Sequence, residues 1–187
     1  LKTRPIWHLI VCTAFFPTMY MIMFPRFSVY MTDAGFTLSA ATLGVSIYFI
    51  ANTLSRLFLG ALCDKLGSYR ANYLLFGSFI LGCTLCVLAP LKSEALMLAS
   101  AVFLGFGGSL ITVGVSIWAG DLSTPERYEK TLRLFQGAYG LGGIVLSFLP
   151  GAIADLAGGY APAYAVFAVM LLYSLFMLQS TYRLAKV

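Results

Sequence analysis

Two similar stretches of sequence decide the fold: residues 60–69, GALCDKLGSY, and residues 151–160, GAIADLAGGY. The second stretch begins 91 residues after the first, and both carry glycine, alanine, aspartate, glycine and tyrosine in one register. Tyr73 and Tyr164 extend the match at the same spacing. Glycine, aspartate and tyrosine are common in membrane turns, so a chance match is the alternative. The shared register favours an internal repeat.

The composition around these stretches is that of a membrane protein. Of 187 residues, 60% are hydrophobic and 10% are charged, with a mean hydropathy of +0.88. Soluble domains carry roughly 25% charged residues. The net charge of +5 would suggest nucleic acid if the basic residues covered a soluble surface. Here they lie in loops between apolar blocks, so membrane lipid is the expected partner and nucleic acid is not.

Six apolar blocks follow one another along the chain, each long enough for a membrane span of about 20 residues. They cover residues 6–30, 39–62, 71–90, 94–119, 129–153 and 160–182. Each copy of the repeat closes the second helix of a three-helix unit, and the units are residues 1–92 and 93–187. Because three is odd, the units cross the membrane in opposite directions. The sequence therefore predicts an all-α membrane protein of six transmembrane helices, arranged as a 3+3 inverted repeat.

The basic residues predict the orientation of the chain. One side of the membrane would carry most of them, and the other side only Lys92 and Arg26. Cytoplasmic loops carry the excess of lysine and arginine. Both termini are therefore expected in the cytoplasm, across a plasma membrane or a bacterial inner membrane. The residues on the basic side are Lys2, Arg4, Lys65, Arg70, Arg127, Lys130, Arg133, Arg183 and Lys186.

The first turn resembles a known loop motif. Gly60-x-x-x-Asp64-Lys65-x-Gly67 is similar to the major facilitator superfamily motif G-x-x-x-D-[RK]-x-G-[RK]-[RK]. Ser68 and Tyr69 stand where the family usually has bases, and a base follows at Arg70. Three features resemble the second half of such transporters. They are this weaker motif, the opening sequence Leu-Lys-Thr-Arg-Pro, and the end of the chain shortly after helix six. The resemblance implies half of a fold of about twelve helices, completed by another six-helix half on the same polypeptide or a separate chain.

The same resemblance assigns a role to this turn. It implies a latch that holds one conformation of an alternating-access cycle, and the alternative is a capped loop with solvated charges. The implied gating residues are Gly60, Asp64, Lys65, Gly67 and Arg70.

Helix two offers a finer resemblance. Asn52-x-x-x-Arg56-x-x-x-Gly60 looks like a stretch of oxalate/formate antiporter-like and monocarboxylate-transporter-like proteins. That likeness implies that Arg56 binds the carboxylate of a small organic anion such as a monocarboxylate. The oxalate/formate branch also uses a lysine in the fifth helix of this half, where this chain has Gln136. Oxalate itself is therefore not expected.

Arg56 is also the strongest candidate by physical reasoning. An arginine near the bilayer centre costs ~2.5–3.5 kcal/mol on insertion scales, so its presence in a span indicates function. Tyr48, Asn52 and Arg56 recur every four residues as a polar stripe, which fits a wet cavity. The alternatives are that Arg56 forms a structural ion pair or extends to the headgroups. Further candidates for substrate contact are Arg26, which could instead meet headgroups, and Ser109, Thr112, Gln136 and Tyr139.

Function classes can be ranked from these features. Secondary active transport leads, as a symporter or an antiporter. No acidic residue lies in the middle of a span, so a facilitator without coupling, or proton coupling through the other half, is expected. The alternatives are a carrier of a drug or sugar, a channel, and a non-transporting membrane sensor or assembly subunit. The sequence has one histidine and no metal-ligand cluster, so neither an enzyme nor a cofactor is expected.

Overall fold

The computed structural model describes Trp7, Ile10, Thr13 and residues 26–185, except for the side chains of Thr112 and Ala185. Most of the predicted first block therefore lies outside the described residues, as do Lys2, Arg4 and Lys186. The described residues form helices joined by short turns. These helices are α1 (Phe27–Asp33), α2 (Leu38–Leu66), α3 (Ser68–Val87), α4 (Glu94–Ser109), α5 (Val115–Asp121), α6 (Tyr128–Leu146), α7 (Leu149–Ala157) and α8 (Ala161–Ala185).

Each predicted block from residue 39 onward has a helical counterpart. Four stretches are long and apolar enough to cross a membrane: Leu38–Leu66, Ser68–Val87, Pro125–Ala157 and Ala161–Leu184. The fourth block consists of α4 and α5, joined by a π-helical turn at Leu110–Gly114. The prediction of an all-helical membrane protein is confirmed.

The predicted fifth helix is interrupted. It is divided into α6 and α7 by a break at Ser147 and Phe148, and Pro150 lies in the first turn of α7. Proline has no backbone N–H to donate to the carbonyl four residues earlier, which is that of Leu146. The break is therefore a direct result of the sequence.

Helices α2, α3 and α4 pack closely because α4 presents glycines to its neighbours. A Cβ atom at Gly105 would collide with the carbonyl oxygen of Tyr48 on α2, and one at Gly107 would collide with Phe79 on α3. Such contacts are typical of membrane helices, where small residues let backbones approach. Between α2 and α4, Ser55 Oγ donates to the Phe106 carbonyl at 2.7 Å. This interface fixes which side of α2 is buried.

The two repeated turns contact opposite ends of α8. Tyr160 directly precedes α8, and its hydroxyl oxygen accepts a hydrogen bond from Arg26 Nη1 at 3.1 Å. Near the other end of α8, Gln179 Nε2 donates to the Tyr69 carbonyl at 2.9 Å. These two places are separated by most of a 25-residue helix, which is roughly 30 Å at 1.5 Å per residue.

The first turn is tighter than the sequence suggested. Helix α2 continues to Leu66, and Gly67 alone separates it from α3. The predicted second block ends at residue 62, but the helix continues beyond it, so Asp64 lies in the last turn of α2 and not in a loop before the third helix. The glycine ends one helix and begins the next with a φ of 76°, which explains why no longer loop is needed.

Candidate functional site

Helix α2 has three distinct faces. One face is buried and carries Tyr48, Asn52, Ser55 and Leu59. A second face is exposed and apolar, and it carries Leu43, Ile50, Leu54 and Leu57. The third face is exposed and mainly polar: it carries Thr42, Ser46, Thr53 and Arg56, with the exposed ring of Phe49 among them. A helix that crosses a membrane between protein, lipid and an aqueous space would have these three faces.

The predicted stripe of Tyr48, Asn52 and Arg56 is split between two of these faces. Each step of four residues turns a helix by 400°, so a stripe with this spacing drifts by about 40° per step. Tyr48 and Asn52 are buried against α4, whereas Arg56 is exposed. The three residues do not line one cavity within the described part of the chain.

Tyr48 and Asn52 instead hold α2 against α4. Asn52 Nδ2 donates to the Gly105 carbonyl at 3.1 Å. A Cβ atom at Gly108 would lie 2.6 Å from Asn52 Nδ2 and 2.9 Å from the Tyr48 hydroxyl oxygen. Glycine at position 108 therefore makes room for both polar side chains.

Ser109 also lies in this interface. Its side chain is fully buried, and its Oγ accepts a hydrogen bond from Ser55 Oγ at 2.8 Å. It therefore links two helices in the structure, rather than lining an open space. The side chain of Thr112, its predicted companion, lies outside the described part.

Gln136 and Tyr139 line a common groove, as two candidates for the same site should. The groove has a volume of about 270 Å³. One side is formed by α5 and the π-helical turn before it, and the other side by α6. Ser116 lines it as well, although it was not selected as a site residue. The signal for Ser116 was present in its seven-residue spacing from Ser109. The remaining lining residues are Ile111, Val115 and Leu132.

The glycines of α6 face open space. No described atom lies within 4 Å of a Cβ placed at Gly137 or Gly140. Small residues let membrane helices pack closely, but the described residues provide no such packing at these glycines. Exposed apolar side chains continue the same helix at Leu141, Ile144 and Val145. The α6 surface therefore needs a covering from outside the described residues, by protein or by lipid.

Arg26 lies at the end of the bundle that carries the second turn. Its guanidinium lies 5.8 Å from the centre of the Tyr160 ring and donates to the hydroxyl of that tyrosine. A Cβ atom at Gly151 would lie 3.3 Å from Arg26 Nη1. The arginine thus joins the end of the first predicted span to the second repeat, and it is half-buried.

The residues of the predicted latch are exposed at the first turn. Asp64, Lys65 and Arg70 form no ion pair with another described residue. A Cβ atom at Gly60 would meet no described atom within 4 Å. A glycine allows a neighbouring helix to approach closely, but no described helix does so at Gly60, and the latch stays a prediction.

The chain is similar to known proteins over most of its length. The family model described as Major Facilitator Superfamily matches residues 4–185. Relatives named "Probable nitrate transporter NarT", from Staphylococcus aureus strains JH9, Newman and COL, are each 28% identical to it over 163 residues. The matched part is 84% of this chain and 40% of each relative. The chain thus spans about two fifths of the length of these relatives.

Proposed function

Because the chain belongs to the major facilitator superfamily, we propose that it is a six-helix half of a transporter that carries a small anion by alternating access. The family predicted from the glycine–aspartate turn is confirmed, and its members are membrane transporters. The oxalate/formate-like and monocarboxylate-like branches stay predictions. In this proposal Arg56 pairs with the anion between the two halves.

The position of Arg56 is the observation that carries the proposal. It lies on the polar exposed face of α2, beside Thr53 and away from the apolar face of Leu54 and Leu57. A guanidinium presents planar donors that match the oxygens of a planar anion. Charge-assisted hydrogen bonds of this kind are the strong ones. Arg56 would thus neutralise the substrate while it crosses the membrane.

Two substrate classes fit this chemistry. A monocarboxylate is favoured by the resemblance of the Asn52–Arg56–Gly60 stretch. Nitrate is favoured by the printed name of the NarT relatives. Both are planar anions with a single negative charge, so nitrate is the first substrate to test and a monocarboxylate such as formate is the second. Gln136, Tyr139 and Ser116 would supply uncharged hydrogen-bond donors from the groove beside α6.

The partner half would cover the open faces of α2 and α6. Gly137 and Gly140 leave room for a closely packed helix, and the polar face with Arg56 would then line the cavity between the halves. Boundaries at residues 1–92 and 93–187 follow from the repeat, with both termini in the cytoplasm. The contact of the two turns with opposite ends of α8 supports this arrangement.

Uptake into proteoliposomes tests the substrate role of Arg56. The full polypeptide that carries this chain is reconstituted, and uptake of nitrate and of formate is measured against concentration. Arg56→Gln should lower transport by about ten- to 100-fold, since a hydrogen bond to a charged group contributes ~1.5–3 kcal/mol. Arg133→Gln is the matched control, because Arg133 is exposed and paired with Glu129 on the surface of α6.

The outcomes separate the alternatives. Saturable uptake that Arg56→Gln lowers by this factor supports an anion carrier, whereas flux that never saturates indicates a channel. Unchanged uptake in Arg56→Gln removes Arg56 from the substrate site.

The latch has a separate test. Asp64→Asn should change the proportions of inward-open and outward-open states, measured by cysteine labelling. Unchanged proportions would leave the turn as a solvated helix connection.

A further inference from the structure

Helix α7 is a short segment that packs weakly against the rest of the described chain. Of its nine residues, only Pro150 and Ala154 are buried. Leu156 is 90% exposed, and Phe148, which directly precedes the helix, is 67% exposed. Segments with few buried contacts open locally at a low cost in free energy. By this criterion, α7 is a candidate for local movement.

The chain can bend at both ends of α7. At one end, α6 stops at Leu146, and Pro150 has no N–H with which to continue the helical hydrogen bonds. At the other end, Gly158 adopts a φ of 74°. No described atom lies within 4 Å of a Cβ placed at Gly158 or Gly159. Proline and glycine are common causes of breaks between helical segments. Helix α7 can therefore tilt while α6 and α8 stay in place.

The first repeat lacks this break. Helix α2 runs without interruption from Leu38 to Leu66. Leu59 stands where the second repeat has Pro150, 91 residues later, and leucine keeps the N–H that proline lacks. The hinged segment is thus a feature of the second repeat, and the first turn serves as a comparison for it.

Arg26 lies between α7 and the start of α8. Its Nη1 donates to the Tyr160 hydroxyl at 3.1 Å, and the guanidinium lies 5.8 Å from the centre of the same ring. A Cβ atom placed at Gly151, in the first half of α7, would lie 3.3 Å from this Nη1. The arginine therefore lies directly against α7 while it is hydrogen-bonded to the residue that precedes α8.

A cavity separates α7 from its neighbours on one side. It has a volume of about 740 Å³ and is bordered by α1, by the loop after α3, and by α7 with the turn that follows it. Because of this space, α7 has little to pack against on that side, which increases the importance of Arg26 for holding it. The lining residues include Tyr30, Asp33, Lys92, Ala154 and Asp155.

We propose that α7 is a lid, which is hinged at residues 147–148 and 158–159 and held closed by Arg26. The lid lies at the end of the bundle opposite the first turn, and it opens when the substrate site becomes accessible from that face. Arg26 is then a positioning residue rather than a substrate contact. The role of the lid in transport rests on the proposed function, whereas the opening of α7 can be measured without any substrate.

Cysteine reactivity of the purified full polypeptide tests the opening. In a background with Cys63 replaced by serine, Ala154→Cys places a thiol at a buried position of α7, and Asp155→Cys places one at the exposed position beside it. Adding Arg26→Gln should raise the maleimide reaction rate of Ala154→Cys about tenfold, as expected when one hydrogen bond from a charged group no longer holds the closed state. The rate of Asp155→Cys should stay the same, since this position is already exposed.

Arg183→Gln is the matched control variant. Arg183 Nε donates to the Tyr69 hydroxyl at the same distance of 3.1 Å, but it does so at the first turn, which has no hinged segment. This variant should leave the reaction rate of Ala154→Cys unchanged. Tyr160→Phe removes the acceptor and keeps the ring, so it should raise the rate less than Arg26→Gln does. It also tests the contact if Arg26→Gln fails to fold.

A covalent lock tests whether the lid opens during transport. Arg26→Cys and Gly151→Cys are joined by a bis-methanethiosulfonate reagent in the reconstituted full polypeptide. Nitrate uptake should fall to the level of protein-free liposomes and return after reduction. The same reagent across Tyr69→Cys and Arg183→Cys should leave uptake largely unchanged, because α2 has no hinge at that turn.

The outcomes decide the proposal. An unchanged rate for Ala154→Cys after Arg26→Gln rejects the arginine contact as the element that holds α7. Full uptake with the Arg26→Cys and Gly151→Cys pair locked rejects the lid. A higher KM for nitrate in Arg26→Gln, with unchanged labelling, assigns Arg26 to the substrate site instead. If the wild-type protein takes up no anion, the proposed function fails, and the labelling of Ala154→Cys still shows whether α7 opens.

Discussion

The turn at Gly67 and the turn at Gly158 come from the same sequence pattern and have different surroundings. In both, the glycine adopts a positive φ, 76° at Gly67 and 74° at Gly158. In both, a tyrosine follows two residues later and accepts a hydrogen bond from a distant arginine. The repeat in sequence therefore corresponds to a repeat in local structure.

The arginines come from different parts of the chain. Tyr69 accepts from Arg183 Nε, and Tyr160 accepts from Arg26 Nη1, both at 3.1 Å. Arg183 lies in the last turn of α8, whereas Arg26 directly precedes α1, and neither is part of the repeated motif. The motif thus places the acceptor, while the partner depends on the assembled bundle.

The second tyrosines of the two turns differ most. Tyr164 is 2% exposed, and its ring centre lies 5.2 Å from that of Tyr30. Tyr73 is 42% exposed, and its ring centre lies 5.5 Å from that of Tyr69. The difference arises because α1 covers the start of α8, whereas the start of α3 borders an open cleft. Equivalent positions in a repeat can therefore contribute very different amounts to stability.

The largest expected difference between the two turns is their access from the two sides of the membrane. Asp64 and Asp155 are both exposed, so a cysteine at either position should react with maleimide. In a background with Cys63 replaced by serine, an impermeant maleimide added outside cells should label only one of Asp64→Cys and Asp155→Cys. Inverted vesicles should give the opposite result.

Membrane-permeant maleimide is the control for this labelling, because it should label both variants in either preparation. Labelling of both positions from the same side by the impermeant reagent would reject the inverted repeat, and with it the arrangement proposed for the two halves.

The next largest difference should be in the stability lost when the buried Tyr164 or the exposed Tyr73 is truncated. Tyr164→Ala should destabilise the protein by ~3–5 kcal/mol, as for truncation of a large aromatic core residue. Tyr73→Ala should cost less than ~1 kcal/mol, in the range of surface substitutions. Denaturant unfolding in one fixed detergent measures both variants. Equal destabilisation would mean that Tyr73 is covered by lipid or by a partner half.

Much of the fold could be predicted from the sequence because the signals are local. Hydropathy gives the spans, and glycines such as Gly67 and Gly158 give their ends. The family followed from the resemblance of the Gly60, Asp64 and Gly67 spacing to its loop motif, and of these three positions Gly67 is restricted by its positive φ of 76°.

The site could be predicted only in part, because it depends on which helices touch. The four-residue spacing of Tyr48, Asn52 and Arg56 suggested one polar face, but the glycines of α4 bury the first two and leave the third exposed. The contact between Arg26 and Tyr160 joins residues 134 positions apart, and no local sequence pattern predicts it. Hydropathy gives no register between helices, so such contacts emerge only from the packed bundle.

The smallest expected difference concerns the two turn glycines themselves. At φ 76° and ψ 149°, Gly67 occupies a region that is essentially restricted to glycine, whereas Gly158 at φ 74° and ψ 22° is left-handed helical. An added methyl group would meet no described atom within 4 Å at either position, so only backbone strain opposes it. Gly67→Ala should therefore cost ~2–3 kcal/mol and Gly158→Ala ~1–2 kcal/mol.

Gly60→Ala is the matched control, because Gly60 has equally open surroundings but lies within α2. Alanine is favoured over glycine in a helix interior by ~0.8–1 kcal/mol, so this variant should be neutral or slightly more stable in the same unfolding assay. If Gly60→Ala were as destabilising as Gly67→Ala, backbone strain could not be the common cause. Gly60 would then pack against a helix outside the described residues, as the predicted latch requires, and the first turn would differ from the second by contact with the other half.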